Sequence, residues 1–66
     1  GKVYVITKVE EAYVYLVDGK VRTLDKPKKK KKKHVQLIKE SFDIQGATDV
    51  DIKRWIKIWN KEDNQN

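Results

Sequence analysis

The chain has 66 residues, a formal net charge of +6 and 39% charged residues, which allows one small domain at most. It contains no cysteine, so disulfides and thiolate metal sites are excluded, and no apolar stretch approaches the roughly 20 residues that a membrane-spanning helix needs. So short a chain without disulfides is typical of a reducing compartment, and we expect a cytoplasmic protein.

The first part of the chain has the alternating pattern of β-strands. Residues 2–9 and 12–17 carry β-branched and aromatic side chains with a period of two, which predicts two strands. Glu10 and Glu11 lie between these strands and are expected to form the tip of a tight hairpin.

A third strand is predicted directly after the hairpin. Asp18-Gly19 is a dipeptide typical of a type I′ turn between paired strands. Residues 20–24 then complete a three-stranded meander, in which Lys20 and Arg22 lie on one side of the third strand.

The positive charge of the chain is concentrated in residues 20–34. This segment carries nine lysine and arginine side chains against Asp25 alone, a formal charge of +8, so the rest of the chain sums to −2. A positive electrostatic potential concentrated on one segment of an otherwise nearly neutral protein indicates a polyanionic partner that binds at one face.

The lysine run itself is predicted to be an extended loop. Pro27 lacks an amide donor and adjacent ammonium groups repel one another, so we expect residues 25–33 to stay outside the sheet. Alternation resumes at residues 34–38, which predicts a fourth strand. The loop is then anchored at both ends.

The last part of the chain predicts one amphipathic helix. After a connector at residues 39–47, Thr48 and Asp51 have the spacing of a capping box, in its weaker aspartate form. The apolar residues that follow at helical spacing are Ile52, Trp55, Ile56 and Trp59. We expect a helix over residues 48–61, a frayed tail at 62–66, and hence a mostly β protein of about four antiparallel strands with one C-terminal helix.

Residues 1–38, GKVYVITKVEEAYVYLVDGKVRTLDKPKKKKKKHVQLI, resemble the KOW-type domains related to large-subunit ribosomal proteins, and in particular the short bacterial KOW-domain RNA-binding proteins. The most specific part of the similarity is YVYLVDGKVRTLDKPKKKKKKH, where a strand, an Asp-Gly-Lys turn, a basic strand and a proline-lysine run follow in the family's order. The resemblance implies a small SH3-like β-barrel that binds ribosomal or other structured RNA.

The sequence also departs from the family pattern. The KOW motif usually opens with a further strand and a glycine turn, which do not precede Gly1-Lys2 here, so we expect a truncated chain or a barrel that is open on one side. The absence of methionine, at position 1 as elsewhere, likewise predicts a processed chain or part of a longer protein. The helix lies outside the resemblance.

The basic residues are the predicted RNA-binding site, because lysines that neutralise phosphates release counterions. These residues are Lys20, Arg22, Lys26, Lys28, Lys29, Lys30, Lys31, Lys32, Lys33 and His34. The plainer interpretation is a solubilising loop, and the same run also matches a nuclear localisation signal. Tyr13 and Tyr15 share a strand face and are candidates for stacking on unpaired bases, although strand tyrosines more often pack against neighbours.

Nothing in the sequence indicates catalysis. His34 is the one histidine and has no cysteine or carboxylate cluster beside it, so we expect neither a metal site nor a cofactor. Ser41 lacks the sequence context of an activated nucleophile. We predict a protein that is not an enzyme.

Trp55 and Trp59 allow two interpretations. At helical spacing they are typical of a core, but on a detached helix they become a docking surface for a partner protein. The leading prediction is therefore a ribosome-associated RNA-binding module, with ribosomal RNA and ribosomal proteins as partners. The alternative is a protein-interaction domain that uses an open sheet edge and the tryptophan helix, with lysines for steering or solubility; DNA or an anionic membrane surface is a third option.

Overall fold

The computed structural model describes residues 2–38 and 43–63 of the protein. Its elements are β1 (Val5–Val9), β2 (Tyr13–Val17), β3 (Lys28–Lys31), a 3-10 turn (Lys32–His34) and helix α1 (Asp49–Asp63). The three strands form one antiparallel sheet with β2 in the centre. The described residues thus combine a three-stranded sheet with one C-terminal helix, a mixed α/β arrangement rather than a mostly β one.

The predicted hairpin is present, although β1 begins at Val5 rather than at residue 2. Its loop is closed by the Glu10 amide, which donates to the Tyr13 carbonyl at 2.8 Å. The register shifts between Ile6 and Lys8, as at a β-bulge. This irregularity, which the alternating sequence does not reveal, places Lys8 opposite Tyr15 in β2.

Residues 20–24 do not form the predicted third strand. The Asp18 Oδ1 atom accepts hydrogen bonds from the amides of Lys20 at 2.8 Å and Arg22 at 2.9 Å, and the amides of Asp18 and Gly19 donate to the Arg22 carbonyl. These bonds use the backbone groups that a strand would offer to a neighbour. Positive φ values in the described residues occur only at glycines, Gly19 included, so the turn is not the type I′ turn that needs two such residues.

The lysine run, predicted as a loop, supplies the third strand instead. Lys28–Lys31 pairs antiparallel with β2, from Lys28 opposite Leu16 to Lys31 opposite Tyr13. Successive strand residues point to opposite faces, so the Cα atoms of neighbouring lysines on one face are about 7 Å apart along the strand. The backbone ladder with β2 does not depend on these side chains.

The predicted fourth strand at residues 34–38 does not form either. His34 ends the 3-10 turn, and residues 35–38 are irregular. The Lys32 amide continues the ladder by donating to the Ala12 carbonyl at 2.9 Å, and the Val35 amide then donates to the Lys32 carbonyl. The chain leaves the sheet at this turn, and the described part of the sheet is open.

Helix α1 confirms the helix prediction, and it extends to Asp63 rather than to residue 61. Thr48 caps it: the Asp51 amide donates to Thr48 Oγ1 at 3.3 Å, while the Thr48 amide donates to Asp51 Oδ2 at 3.0 Å. Within the described residues, no helix has the length and apolar character that crossing a membrane requires. Residues 39–42 of the predicted connector and 64–66 of the predicted tail lie outside the described residues.

The core is small and is closed by the helix. Its buried apolar side chains are Val14, Leu16, Val17 and Ile52. The turn after β2 meets the first turns of α1, because a Cβ atom on Gly19 would collide with the Asp49 carbonyl oxygen and lie 3.0 Å from the Lys53 nitrogen. The Leu24 amide also donates to Asp49 Oδ1 at 2.8 Å. The loop between β2 and β3 therefore fixes the start of the helix.

Asp18, which organises this loop, has a lowered pKa. Desolvation alone raises the pKa of its carboxyl group, but the hydrogen bonds from the Lys20 and Arg22 amides and the charge of Lys2 together outweigh desolvation. A folded pKa below the ordinary value of 3.8 means that the carboxylate stabilises the fold at higher pH. This contribution is lost as the pH falls through the folded pKa.

We expect Asp18→Asn to lower the free energy of unfolding near neutral pH, because the charged acceptor is lost. The gap between wild type and variant should close as the pH falls through the lowered pKa, where the wild-type carboxylate takes up its proton. Urea unfolding followed by tryptophan fluorescence at several pH values measures both proteins. A gap that does not change with pH would contradict the role assigned to this carboxylate.

Candidate nucleic-acid interface

One face of the sheet combines lysine and tyrosine side chains. β2 contributes Tyr13 and Tyr15, and the register places Lys31 and Lys29 of β3 opposite them. Lys8 of β1 lies opposite Tyr15 from the other side. The three lysines are exposed and the two tyrosines are half-buried. We refer to these five residues as the open face.

Two of the three lysines of the open face lie over the tyrosine rings. Lys29 Nζ is 4.5 Å from the Tyr13 ring centroid and 5.8 Å from that of Tyr15. Lys8 Nζ is 5.4 Å from the Tyr15 centroid. Such cation–π contacts stabilise by about 0.5–1 kcal/mol at exposed sites and orient the ammonium groups. The rings therefore hold two cations in place, and a base that stacks on them has to displace Lys29.

Glu10 lies beside this cluster and partly neutralises it. Its carboxylate oxygens are 3.7 Å from Lys8 Nζ and 4.0 Å from Lys29 Nζ, and Tyr15 Oη donates to Oε1 at 3.3 Å. Exposed ion pairs of this kind contribute at most about 1 kcal/mol. A phosphate group can therefore replace the Glu10 carboxylate at little cost in free energy.

The remaining cations near this face have no carboxylate partner among the described residues. Lys31, Lys32 and Lys33 are exposed, and no described carboxylate lies within 4.0 Å of their ammonium groups. His34 is exposed too and ends the same 3-10 turn. The strand thus presents Lys29 and Lys31 on the open face, and the turn after it adds exposed basic side chains.

Lys28 and Lys30, by contrast, lie on the opposite face. They are half-buried and pair with Leu16 and Val14 of the core, so they point toward the side of the helix. Lys28 Nζ is 6.0 Å from the Tyr4 ring centroid. The pleat of the strand thus divides the lysines of β3 between two faces, and Lys28 and Lys30 do not share a face with Lys29 and Lys31.

Lys20, Arg22 and Lys26 lie in the loop between β2 and β3, with exposed side chains. This loop adjoins the Lys28 end of β3, whereas the 3-10 turn adjoins the Lys31 end. The basic loop and the basic 3-10 turn therefore lie at opposite ends of β3. The strand spans three residue steps, which is about 10 Å. The structure does not bring these three residues together with the 3-10 turn.

Trp55 and Trp59 are half-buried and are thus neither fully in the core nor on a detached helix. They line a cleft of about 630 Å³ between α1 and the face of the sheet that carries Leu16. The other lining residues are Lys2, Val3, Tyr4, Val5, Ile6, Leu16, Lys30, His34, Val35, Gln36, Leu37, Ile38, Ile44 and Ile56.

Sequence reasoning missed two parts of these surfaces. Lys8 was not predicted, because its place beside Tyr15 depends on the register shift in β1. The cleft was not predicted, because it joins segments that lie far apart in the chain. In the described part of the chain, no three histidine, aspartate or glutamate side chains gather into a group that could hold a metal ion.

Comparison with known proteins finds no matching family model, no matching curated protein and no matching solved structure. The resemblance of residues 1–38 to KOW-type domains therefore stays a prediction.

Proposed function

We propose that the protein is a non-catalytic RNA-binding module that holds the phosphate backbone of RNA on the open face. The register between β2 and β3 carries the proposal, because it sets Lys29 and Lys31 together with two tyrosines on an exposed face. The basic 3-10 turn extends that surface beyond the end of β3. A polyanion laid along the open face of β3 would meet Lys29 and Lys31 and then the basic side chains of the turn.

The contact is expected to be largely independent of base sequence. Lysine ammonium groups act as point charges toward phosphates, whereas sequence is read through base edges and stacking. Tyr13 and Tyr15 add stacking on unpaired bases only where Lys29 moves off their rings, since its ammonium lies 4.5 Å from the nearer centroid. Backbone binding is therefore the primary mode in this proposal.

The similarity to KOW-type domains supports structured, and in particular ribosomal, RNA as the partner. It also supports an SH3-like barrel as the complete fold and a cytoplasmic, ribosome-associated protein. The segment that the resemblance treats as a basic strand, residues 20–24, forms a turn here. For this reason the proposal rests on the open face and not on the barrel.

The salt dependence of RNA binding tests the proposal. If Lys8, Lys29, Lys31, Lys32 and Lys33 each neutralise a phosphate, the log of the binding constant should fall with the log of the salt concentration with a slope of roughly −3.5 for a single strand and −4.5 for a duplex. Fluorescence anisotropy of a labelled RNA hairpin, titrated with the full chain at several salt concentrations, gives this slope. A slope near zero, or no binding at low salt, would refute the proposal.

Protein interaction is the second candidate function. It is favoured by the half-buried Trp55 and Trp59 at the cleft and by β3, which is an edge strand of the sheet. In this case the lysines only steer a partner protein toward the sheet. Crosslinking in cells followed by sequencing of the bound RNA separates the two candidates, since a domain that binds only protein returns no enriched RNA.

A further inference from the structure

We propose that the cleft between α1 and the sheet binds a small aromatic monoanion. This site is separate from the open face, because the cleft lies on the face that carries Leu16 and Lys30, whereas Tyr15 and Lys29 point the other way. Its volume of about 630 Å³ falls within the range of small-molecule sites, which is about 300–1,000 Å³. The inference does not depend on RNA binding.

The walls of the cleft suit an apolar, aromatic body. Tyr4 lies on the sheet side, and Trp55 and Trp59 project from the helix one turn apart. Aromatic rings prefer offset-stacked or edge-to-face contacts with one another. Such pairs contribute more binding free energy than the burial of their apolar surface alone would give. Ile6 and Leu16 of the sheet add an aliphatic floor. A flat aromatic ligand therefore finds rings on both sides.

The charge of the lining selects an anion. Lys2, Lys30 and His34 are its basic residues, and the lining contains no aspartate or glutamate among the described residues. Lys30 is half-buried, and no described carboxylate lies within 4.0 Å of its ammonium group. A partly desolvated charge without a counter-ion is unfavourable, so a bound carboxylate or sulfonate would compensate it. The half-buried Lys30, which lines the same cleft as three aromatic rings, is the feature that assigns the ligand class.

A pair of matched probes tests the inference. 1-Anilinonaphthalene-8-sulfonate carries an aromatic body and one negative charge, whereas N-phenyl-1-naphthylamine has the same rings without the sulfonate. Energy transfer from Trp55 and Trp59, the two tryptophans of the chain, reports binding of either probe to the protein, and the variants below assign that binding to the cleft. We expect the wild-type protein to bind the sulfonate more tightly than the neutral probe.

The variants separate a specific site from general attraction. Lys30→Gln should weaken binding of the sulfonate about tenfold and leave the neutral probe unchanged, which is the effect of one charge-assisted contact. Lys29→Gln removes the same charge from the open face and should change the affinity for either probe by no more than about twofold. Cooperative urea unfolding of both variants confirms that the probes report a folded protein, since loosely packed states also bind such dyes.

Two results would overturn the inference. If Lys29→Gln and Lys30→Gln weaken binding of the sulfonate probe equally, the probe responds only to the net charge of the protein. If the wild type binds neither probe, the cleft is not a site for aromatic anions. Neither result bears on the salt dependence of RNA binding, so failure of this inference and failure of the proposed function are distinguishable.

Discussion

Replacing Lys29 and Lys31 together by glutamine is expected to weaken RNA binding by roughly 25- to 60-fold at 0.1 M salt, the loss expected for two phosphate contacts. The matched change of Lys28 and Lys30 to glutamine removes the same charge but is expected to cost at most about threefold. The physical reason is the pleat of β3, which points one pair to the open face and the other toward the helix.

Anisotropy titrations of a labelled RNA hairpin with both double variants measure this difference. The salt slope of the Lys29/Lys31 variant should also fall in magnitude by about 1.4 to 1.8, while that of the Lys28/Lys30 variant stays close to the wild-type value. Equal losses in the two variants would mean that net charge, and not the open face, binds RNA. A larger loss in the Lys28/Lys30 variant would place the RNA on the helix side of the sheet.

The largest effect on stability is expected for Gly19→Ala, at roughly 2–5 kcal/mol. Gly19 has a φ of +80°, which costs a residue with a side chain about 1–2 kcal/mol. The added Cβ would also meet the backbone oxygen of Asp49 and the Lys53 nitrogen at 3.0 Å, and overpacking of this kind costs about 1–3 kcal/mol. Because the collision is with helix backbone, no side-chain rotation relieves it.

Gly46→Ala is the matched control for this prediction. Gly46 has nearly the same φ, +79°, but a Cβ there would have no neighbour within 4 Å. The free energy of unfolding of this variant should fall only by the cost of the positive φ for a residue with a side chain, about 1–2 kcal/mol. Urea unfolding followed by tryptophan fluorescence gives both values. Equal losses at the two glycines would show that the approach of the turn to α1 contributes nothing to stability.

The elements that the sequence predicted correctly are those fixed by neighbours along the chain. The hairpin follows from the alternation around Glu10, because a period of two and a short loop determine local pairing. The helix start follows from Thr48 and Asp51, whose side chains satisfy each other's amides within one turn. Both predictions needed no knowledge of distant residues.

The third strand and the composition of the candidate site were decided by tertiary structure. Residues 20–24 have a composition more typical of a strand than the lysine run has. However, the amides of Lys20 and Arg22 donate to Asp18, and the free edge of β2 pairs with residues 28–31 instead. Pairing with that edge uses backbone groups, so the low strand preference of lysine did not prevent it. The register of that pairing, which no local pattern specifies, then decided that Lys29 lies beside the tyrosines and Lys30 beside the tryptophan cleft.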